Sequence, residues 1–325
     1  MDLARFIYNL NFFPLSSDKN KFTDSETYSS LISVRSFFEN YLKLLLNFIN
    51  CSEQNQSKID LTILELGCGH GLPALSVIKL LEDLIRIQID NLDGQVKCNE
   101  EKIDKSFTLN IIVYMQDFNK QILEGITFEN SKKLVEQTFE KISFCYNNLF
   151  YKIELTKSFK FVYGDWRDLL EKNLLPKQYF NLILTSETIY NSQNYRPLIG
   201  LFKECLCRET ANTSLSIKGL ILLSAKTYYF GCGGNLHEFL SLLKSDYGEF
   251  FFSKNLLFDS ILNFKIQSLK TTSQNSSEKN SPNSDNQVYS LNQFKKSNRT
   301  PINEDDSELY SSNISKEIIK ICFKN

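Results

Sequence analysis

Apolar and polar positions along this chain switch between a helical and a strand period, and the switches give an order of elements. From Val34 to Ile49 the apolar residues Phe37, Phe38, Tyr41, Leu42, Leu45, Leu46 and Ile49 recur with helical spacing. A polar connector, Asn50 to Lys58, leads to an apolar run over Ile59–Leu66 that reads as a first strand. Pro73 to Leu84 reads as the helix behind it, with Pro73 in the first turn, where a missing N–H is no loss. A charged, weakly periodic stretch from Arg86 to Phe107 delays a second strand, Leu109–Met115. A polar, partly helical segment, Asn130–Lys157, precedes a third short strand, Phe159–Tyr163. Phe180–Leu184 and Gly219–Ser224 read as the fourth and fifth strands, Tyr195–Leu206 and Asn235–Lys244 as helices.

Near the C-terminus, Ile261–Leu269 and Glu317–Phe323 alternate like strands and are expected to pair antiparallel. Between them Thr271–Asn313 is dominated by Ser, Asn, Gln and charged residues. Such a segment buries too little apolar surface to offset chain entropy, so disorder is expected there. Loop-closure entropy grows only logarithmically, which makes an overgrown hairpin loop tolerable. The expected fold is α/β: a Rossmann-like, seven-stranded, mostly parallel sheet with an antiparallel C-terminal hairpin and helices on both faces. An N-terminal helical segment, 1–58, precedes one domain, 59–325, carrying polar inserts near 86–107, 130–157 and 271–313.

Composition narrows the function classes. The 325 residues carry 37 basic and 38 acidic side chains, a formal net charge of -1, so no direct nucleic-acid binding is expected. The start, Met1-Asp2-Leu3-Ala4-Arg5, lacks the basic and apolar regions of a signal peptide. No uninterrupted apolar stretch is long enough to span a bilayer. A soluble monomer in the cytoplasm or nucleus, without membrane contact, is the expectation. The eight cysteines show no C-x-x-C spacing and the only histidines are His70 and His237, so no metal site is expected and the thiols should be reduced.

The candidate chemistry sits where strands end. After the first strand comes Glu65-Leu66-Gly67-Cys68-Gly69-His70-Gly71. Glycines at Gly67, Gly69 and Gly71 let the backbone turn sharply beside a ligand. In a dinucleotide frame the last small position would fall on Leu72, whereas an acidic residue with G-x-G-x-G suits S-adenosylmethionine, whose sulfonium and amino groups are cationic. In such sheets the ligand lies outside the C-terminal strand ends. The second strand ends in Gln116-Asp117-Phe118-Asn119, where Asp117 could accept from both ribose hydroxyls. The third ends in Gly164-Asp165-Trp166, with Asp165 set for an adenine amino group and Trp166 offering an aromatic face. The fourth runs into Thr185-Ser186-Glu187-Thr188-Ile189-Tyr190-Asn191, where a substrate would sit. The fifth runs into Lys226-Thr227-Tyr228-Tyr229-Phe230-Gly231-Cys232-Gly233-Gly234, a loop suited to packing over a ligand or peptide.

Through these motifs, above all Asn181–Asn191 and Ser224–Gly234, the chain resembles the histidine protein methyltransferase family of seven-strand S-adenosylmethionine-dependent enzymes. The resemblance covers roughly Ile59 to Asn325, inserts excepted. It implies methyl transfer to a histidine imidazole in a protein, the family's known substrate being a large-subunit ribosomal protein. Cofactor contacts then fall to Glu65, Gly67, Gly69, Gly71, Gln116, Asp117, Phe118, Gly164, Asp165, Trp166 and Ser186, with Glu65, Asp117 and Asp165 gripping the donor. Glu187, Tyr190 and Asn191 would hold the substrate ring, with Tyr229 packing against it. The family's Trp-Glu pair ahead of the first strand would fall on Arg35 and Ser36. Two other readings stand beside this one. Glu187 and Tyr190 also match a [DE]-x-x-Y motif of protein-lysine methyltransferases, and the lost Trp-Glu pair fits a weakly catalytic cofactor-binding module.

Overall fold

The helical stripe around Val34 belongs to a longer helix, α1 (Ser25–Asn50), in a computed structural model describing residues 25–50, 56–92, 103–137, 140–147, 149–208, 218–256 and 316–323, with Leu3, Ala4 and Ile7. There follow β1 (Gln56–Leu66), α2 (Leu72–Leu92), β2 (Lys105–Asp117), α3 (Phe128–Gln137), β3 (Lys141–Tyr146) and β4 (Leu149–Tyr163). Next come α4 (Trp166–Glu171), β5 (Leu182–Ser186), α5 (Tyr195–Cys205), β6 (Leu220–Lys226), α6 (Leu236–Tyr247), β7 (Phe251–Leu256) and β8 (Lys316–Phe323).

The described strands form one sheet in the order β3-β4-β2-β1-β5-β6-β8-β7. The five strands from β4 to β6 are parallel, and β8 and β7 close that edge antiparallel. This is the expected mostly parallel sheet with an antiparallel C-terminal hairpin. Central strands such as Leu-Ile-Leu-Thr-Ser of β5 are buried along nearly their whole length because both their faces are covered. One face buries Ile63, Val113 and Leu184 against Phe38 and Leu45 of α1 and Ile78 and Leu81 of α2. The other buries Leu64, Ile183 and Leu223 against Leu169 of α4, Phe202 of α5 and Phe239 of α6. The last turn of α1 is fixed to the sheet: the Ile49 carbonyl accepts from Tyr151 Oη at 2.9 Å and from the buried Lys105 ammonium at 3.4 Å.

Three expectations change. The segment 130–157 is not a loose insert, because β3 and the first half of β4 form a hairpin that adds an eighth strand. Its turn uses Asn147 at φ 49°, and Phe144 stacks on Tyr151 with centroids 5.2 Å apart. The stretch 86–107 is regular at its two ends, since α2 continues to Leu92 with Ile89 buried and β2 already starts at Lys105, while 93–102 lie outside the described residues. The strand antiparallel to the C-terminal one is Phe251–Leu256, while 261–269 and 271–313 lie outside the described residues.

Cys68, Cys205, Cys207, Cys232 and Cys322 carry free thiols. Cys145 on β3 is disulfide-bonded, against the expectation that all thiols are reduced. Among the described residues no helix is long and apolar enough to cross a membrane, and no cluster of His, Cys, Asp and Glu could hold a metal ion.

Candidate active site

Parallel register brings the motif-bearing strand ends together. Leu66 of β1 lies opposite Gln116 of β2 and Thr185 of β5, and Asp117 lies opposite Tyr163 of β4. The loops beyond them enclose a cavity of about 350 Å³, within the roughly 300–1,000 Å³ typical of small-molecule sites. Gly67, Asp117, Phe118, Gly164, Asp165 and Trp166 line one side. Ser186, Glu187 and Tyr190 line the other, joined by Thr188 and Asn194, which the sequence motifs did not single out. Three carboxylates and no Lys, Arg or His are among these described lining residues. Such a surface suits a cationic ligand and disfavours a pyrophosphate.

Backbone requirements explain the turn. Gly67 has φ 62°, and a Cβ there would stand 2.6 Å from Thr188 Cγ2. Thr188 cannot give way easily, since its Oγ1 is 2.6 Å from Thr185 Oγ1, and that hydroxyl donates to the Leu66 carbonyl.

Several expected ligand contacts turn out to hold the site rather than face it. Gln116 is fully buried and outside the lining. Its Oε1 accepts from Trp166 Nε1 at 2.7 Å and from the Gly67 N–H at 3.3 Å, and its Nε2 donates to the Gly164 carbonyl. One amide thereby ties together the ends of three strands. Glu65 is buried beneath the turn, and its Oε2 accepts from the Ala74 N–H in the first turn of α2. Burial pushes its pKa up to about 8, Asp117 adds to the rise, and the Ala74 bond partly offsets it. Glu65 thus sits beneath the turn, outside the described lining of the cavity. Gly69 and Gly71 shape the turn without lining the cavity.

The two aspartates face the cavity and also organise their loops. Asp117 Oδ2 accepts from the Gly69 N–H and Oδ1 from the Asn119 N–H, at 2.9 and 2.8 Å. Asp165 Oδ1 accepts from the Arg167 N–H as the N-cap of α4.

On the opposite side Glu187 adopts φ 60°, a strained conformation for a side-chain-bearing residue. Its N–H donates to the Ser224 carbonyl, and its Oε2 stands 4.0 Å from Lys226 Nζ. Its Oε1 is buried without a hydrogen-bond partner among the described residues, and so is Ser224 Oγ. Tyr229 lies behind the lining, its ring edge-on to Tyr190 at 6.5 Å and its Oη accepting from the Lys226 N–H. Burial raises the Tyr229 pKa above the usual phenol range, the Lys226 N–H bond partly offsets this, and the Glu187 carboxylate, in hydrogen-bonding reach of the phenol, reinforces the rise. Asn191 is outside the lining because its Oδ1 caps the 192–194 turn through the Gln193 N–H. The same turn carries Asn194 into the cavity.

No protein-family model matches the chain. Among curated relatives, it is 28% identical over 192 residues to a histidine protein methyltransferase 1 homolog of Dictyostelium discoideum, covering 58% of this chain and 43% of that protein. It is 30% identical over 181 residues to the Rattus norvegicus homolog, covering 54% and 41%. It is 28% identical over 187 residues to histidine protein methyltransferase 1 of Schizosaccharomyces pombe (strain 972 / ATCC 24843), covering 56% and 49%. The chain thus spans about half the length of the curated relatives it matches. Among solved structures, CurJ carbon methyltransferase aligns with 91% of this chain and 56% of its own at 7% identity and a TM-score of 0.37. A likeness that loose carries no weight beside the topology itself. Over more than half of its length, the chain is similar to histidine protein methyltransferases.

Proposed function

We propose that this chain is an S-adenosylmethionine-dependent protein-histidine N-methyltransferase, with a large-subunit ribosomal protein as the expected substrate. The observation that carries the reading is Glu187 Oε1, a buried carboxylate oxygen with no hydrogen-bond partner among the described residues, on a strained residue lining the cavity. Leaving such an acceptor unpaired costs about 1–3 kcal/mol, which a ligand N–H recovers. The similarity to proteins named histidine protein methyltransferase supports the same reading.

The cavity fits the cofactor's chemistry. Asp117 and Asp165 are acceptors for sugar hydroxyl and amino donors, and Trp166 and Phe118 are flat surfaces for a base. S-adenosylmethionine, when bound, supplies an electrophilic methyl on a cationic sulfur. An imidazole with an ordinary pKa of about 6.5 is already mostly nucleophilic at neutral pH. The protein's task is then alignment, which at its best removes roughly 7–11 kcal/mol from a barrier. Glu187 accepts the N–H of one ring nitrogen, fixes the tautomer and turns the other nitrogen toward the methyl. Tyr190 flanks the ring, with Tyr229 supporting it from behind. Asn191 and Glu65 act one layer further out, as positioning groups.

The test is transfer of labelled methyl to a histidine-containing peptide by wild type and Glu187→Gln. Expected are methylimidazole in the product, a roughly hundredfold slower variant, and unchanged affinity for S-adenosylhomocysteine. Unchanged turnover would remove Glu187 from the site. Glu187 and Tyr190 both line the cavity, an arrangement that a lysine acceptor would also use. An amine of pKa about 10.4 gives rates that climb through the alkaline range, whereas imidazole gives a plateau above about pH 7.

A further inference from the structure

Among the described residues, the exposed aromatic side chains all follow the C-terminal strand ends. Phe118 and Phe128 come after β2, Tyr163 ends β4, Tyr190 follows β5, and Tyr228 and Phe230 follow β6. Phe230 is the most open, 78% exposed, with Tyr228 at 57%. Exposed aromatics confined to one rim mark a contact surface more than ordinary surface composition does.

The loop carrying Tyr228 and Phe230 is held at its base by backbone bonds. Tyr228 forms an antiparallel bridge with Asn235, the Tyr229 N–H donates to the Gly234 carbonyl, and the Leu236 N–H donates to that of Thr227. The buried Tyr195 hydroxyl accepts from the Asn235 N–H and donates back to that residue's carbonyl. A Cβ on Gly234 would meet the Ile189 carbonyl oxygen at 2.2 Å, so the loop's base is pressed onto the segment carrying Tyr190. A held loop presenting uncovered rings loses little entropy when a partner covers them.

We infer that Tyr228 and Phe230 form a docking arm that receives an apolar side chain flanking the acceptor residue of the protein substrate. The inference rests on the proposed protein-methyltransferase reading. It adds how the polypeptide around the acceptor is selected. Continuity supports it, since Tyr190 both lines the cavity and touches the Tyr229 ring at the root of the arm. Chemistry supports it too, since residues 227–236 contain no charged side chain. Such a surface suits an apolar group rather than a phosphate backbone.

The experiment measures binding of fluorescent peptides with a central histidine, flanked by Leu and Phe or by Ala alone, to the full chain saturated with S-adenosylhomocysteine. The Leu/Phe peptide is expected to bind about tenfold more tightly, the scale of one interface anchor. The gap should vanish in Phe230→Ala and Tyr228→Ala, with cofactor affinity and melting temperature unchanged. Equal binding of the two peptides, including none by either, overturns the arm. So does a gap that survives Phe230→Ala, an arm-dependent dimer in sedimentation, or an RNA oligonucleotide held through Phe230. Because binding is read rather than turnover, a peptide gripped through Phe230 but never methylated sinks the histidine reading alone. Methylation indifferent to the flanks sinks the arm alone.

Discussion

On the glycine-turn side of the cavity both polar atoms of Gln116 are paired, whereas across from it Glu187 Oε1 and Ser224 Oγ are buried with no partner among the described residues. The first side is finished by the fold: strand ends, turn and Trp166 are locked by the protein's own bonds before any ligand arrives. The second side retains backbone strain at Glu187 and an unmet acceptor. A fold tolerates such deficits where a ligand makes them good. On the proposed reading, prebuilt recognition on one side and deferred satisfaction on the other divide a donor-binding half from an acceptor-binding half.

The sharpest way to break this contrast is Gln116→Leu. Removing the amide strands the Gly67 N–H, the Trp166 indole N–H and the Gly164 carbonyl together. Orphaned groups of this kind suggest a loss of roughly 3–5 kcal/mol in stability. Affinity for S-adenosylhomocysteine should fall at least tenfold, measured by calorimetry on folded protein. Intact stability with intact binding would mean that the closed half is not held by this residue.

A second effect is read in pH. The Glu65 pKa is about 8 in the folded chain, raised mainly by burial, against about 4.3 for an ordinary glutamate. The native state therefore holds a proton that the unfolded chain has released, and stability falls as pH rises from about 4.3 toward 8. The difference is roughly 4–5 kcal/mol across that window. Glu65→Gln keeps an acceptor for the Ala74 N–H and should flatten the slope, seen in urea midpoints at pH 5 and pH 8. Equal slopes in the two proteins would mean that Glu65 is ionised in the fold.

The deferred half gives a smaller effect of opposite sign. Glu187→Gly relieves the positive φ and deletes the orphan oxygen, so stability should rise by about 1 kcal/mol while methyl transfer is lost. Scanning calorimetry beside a turnover assay checks both. A destabilised variant would show that the native contacts of Glu187 outweigh its strain.

The sheet was legible because its central strands carry short apolar runs such as Ile111–Met115, Leu182–Leu184 and Leu220–Leu223, and the glycine turn because backbone geometry at Gly67 restricts the residue type. The β3 edge was not. Lys141-Ile-Ser-Phe-Cys-Tyr is short and half polar, and it becomes a strand only because Phe144 finds Tyr151 across the hairpin. In the site, a motif gives residue types but not the direction of a side chain. Gln116 and Glu65 carry chemistry typical of ligand contacts, yet they point into the scaffold. Thr188 and Asn194 went unnoticed because a threonine and an asparagine in a polar loop look like ordinary solvated residues. Only register and turn geometry bring them to the cavity.

Asn191 gives the smallest and most discriminating effect, because two roles predict different outcomes. As a ring-holding group, its loss should cut turnover by orders of magnitude. As the cap of the 192–194 turn, its Oδ1 accepts from the Gln193 N–H at 3.0 Å, and its loss costs about 0.5–1 kcal/mol of stability. Asn191→Ala should therefore lower the melting temperature slightly and leave turnover within a few-fold. Asn191→Asp retains the acceptor and should restore the melting temperature. A severe loss of turnover in Asn191→Ala with an unchanged melting temperature would return this residue to the acceptor-binding half. The boundary between the finished and the deferred sides would then run through the loop after β5 at a different residue.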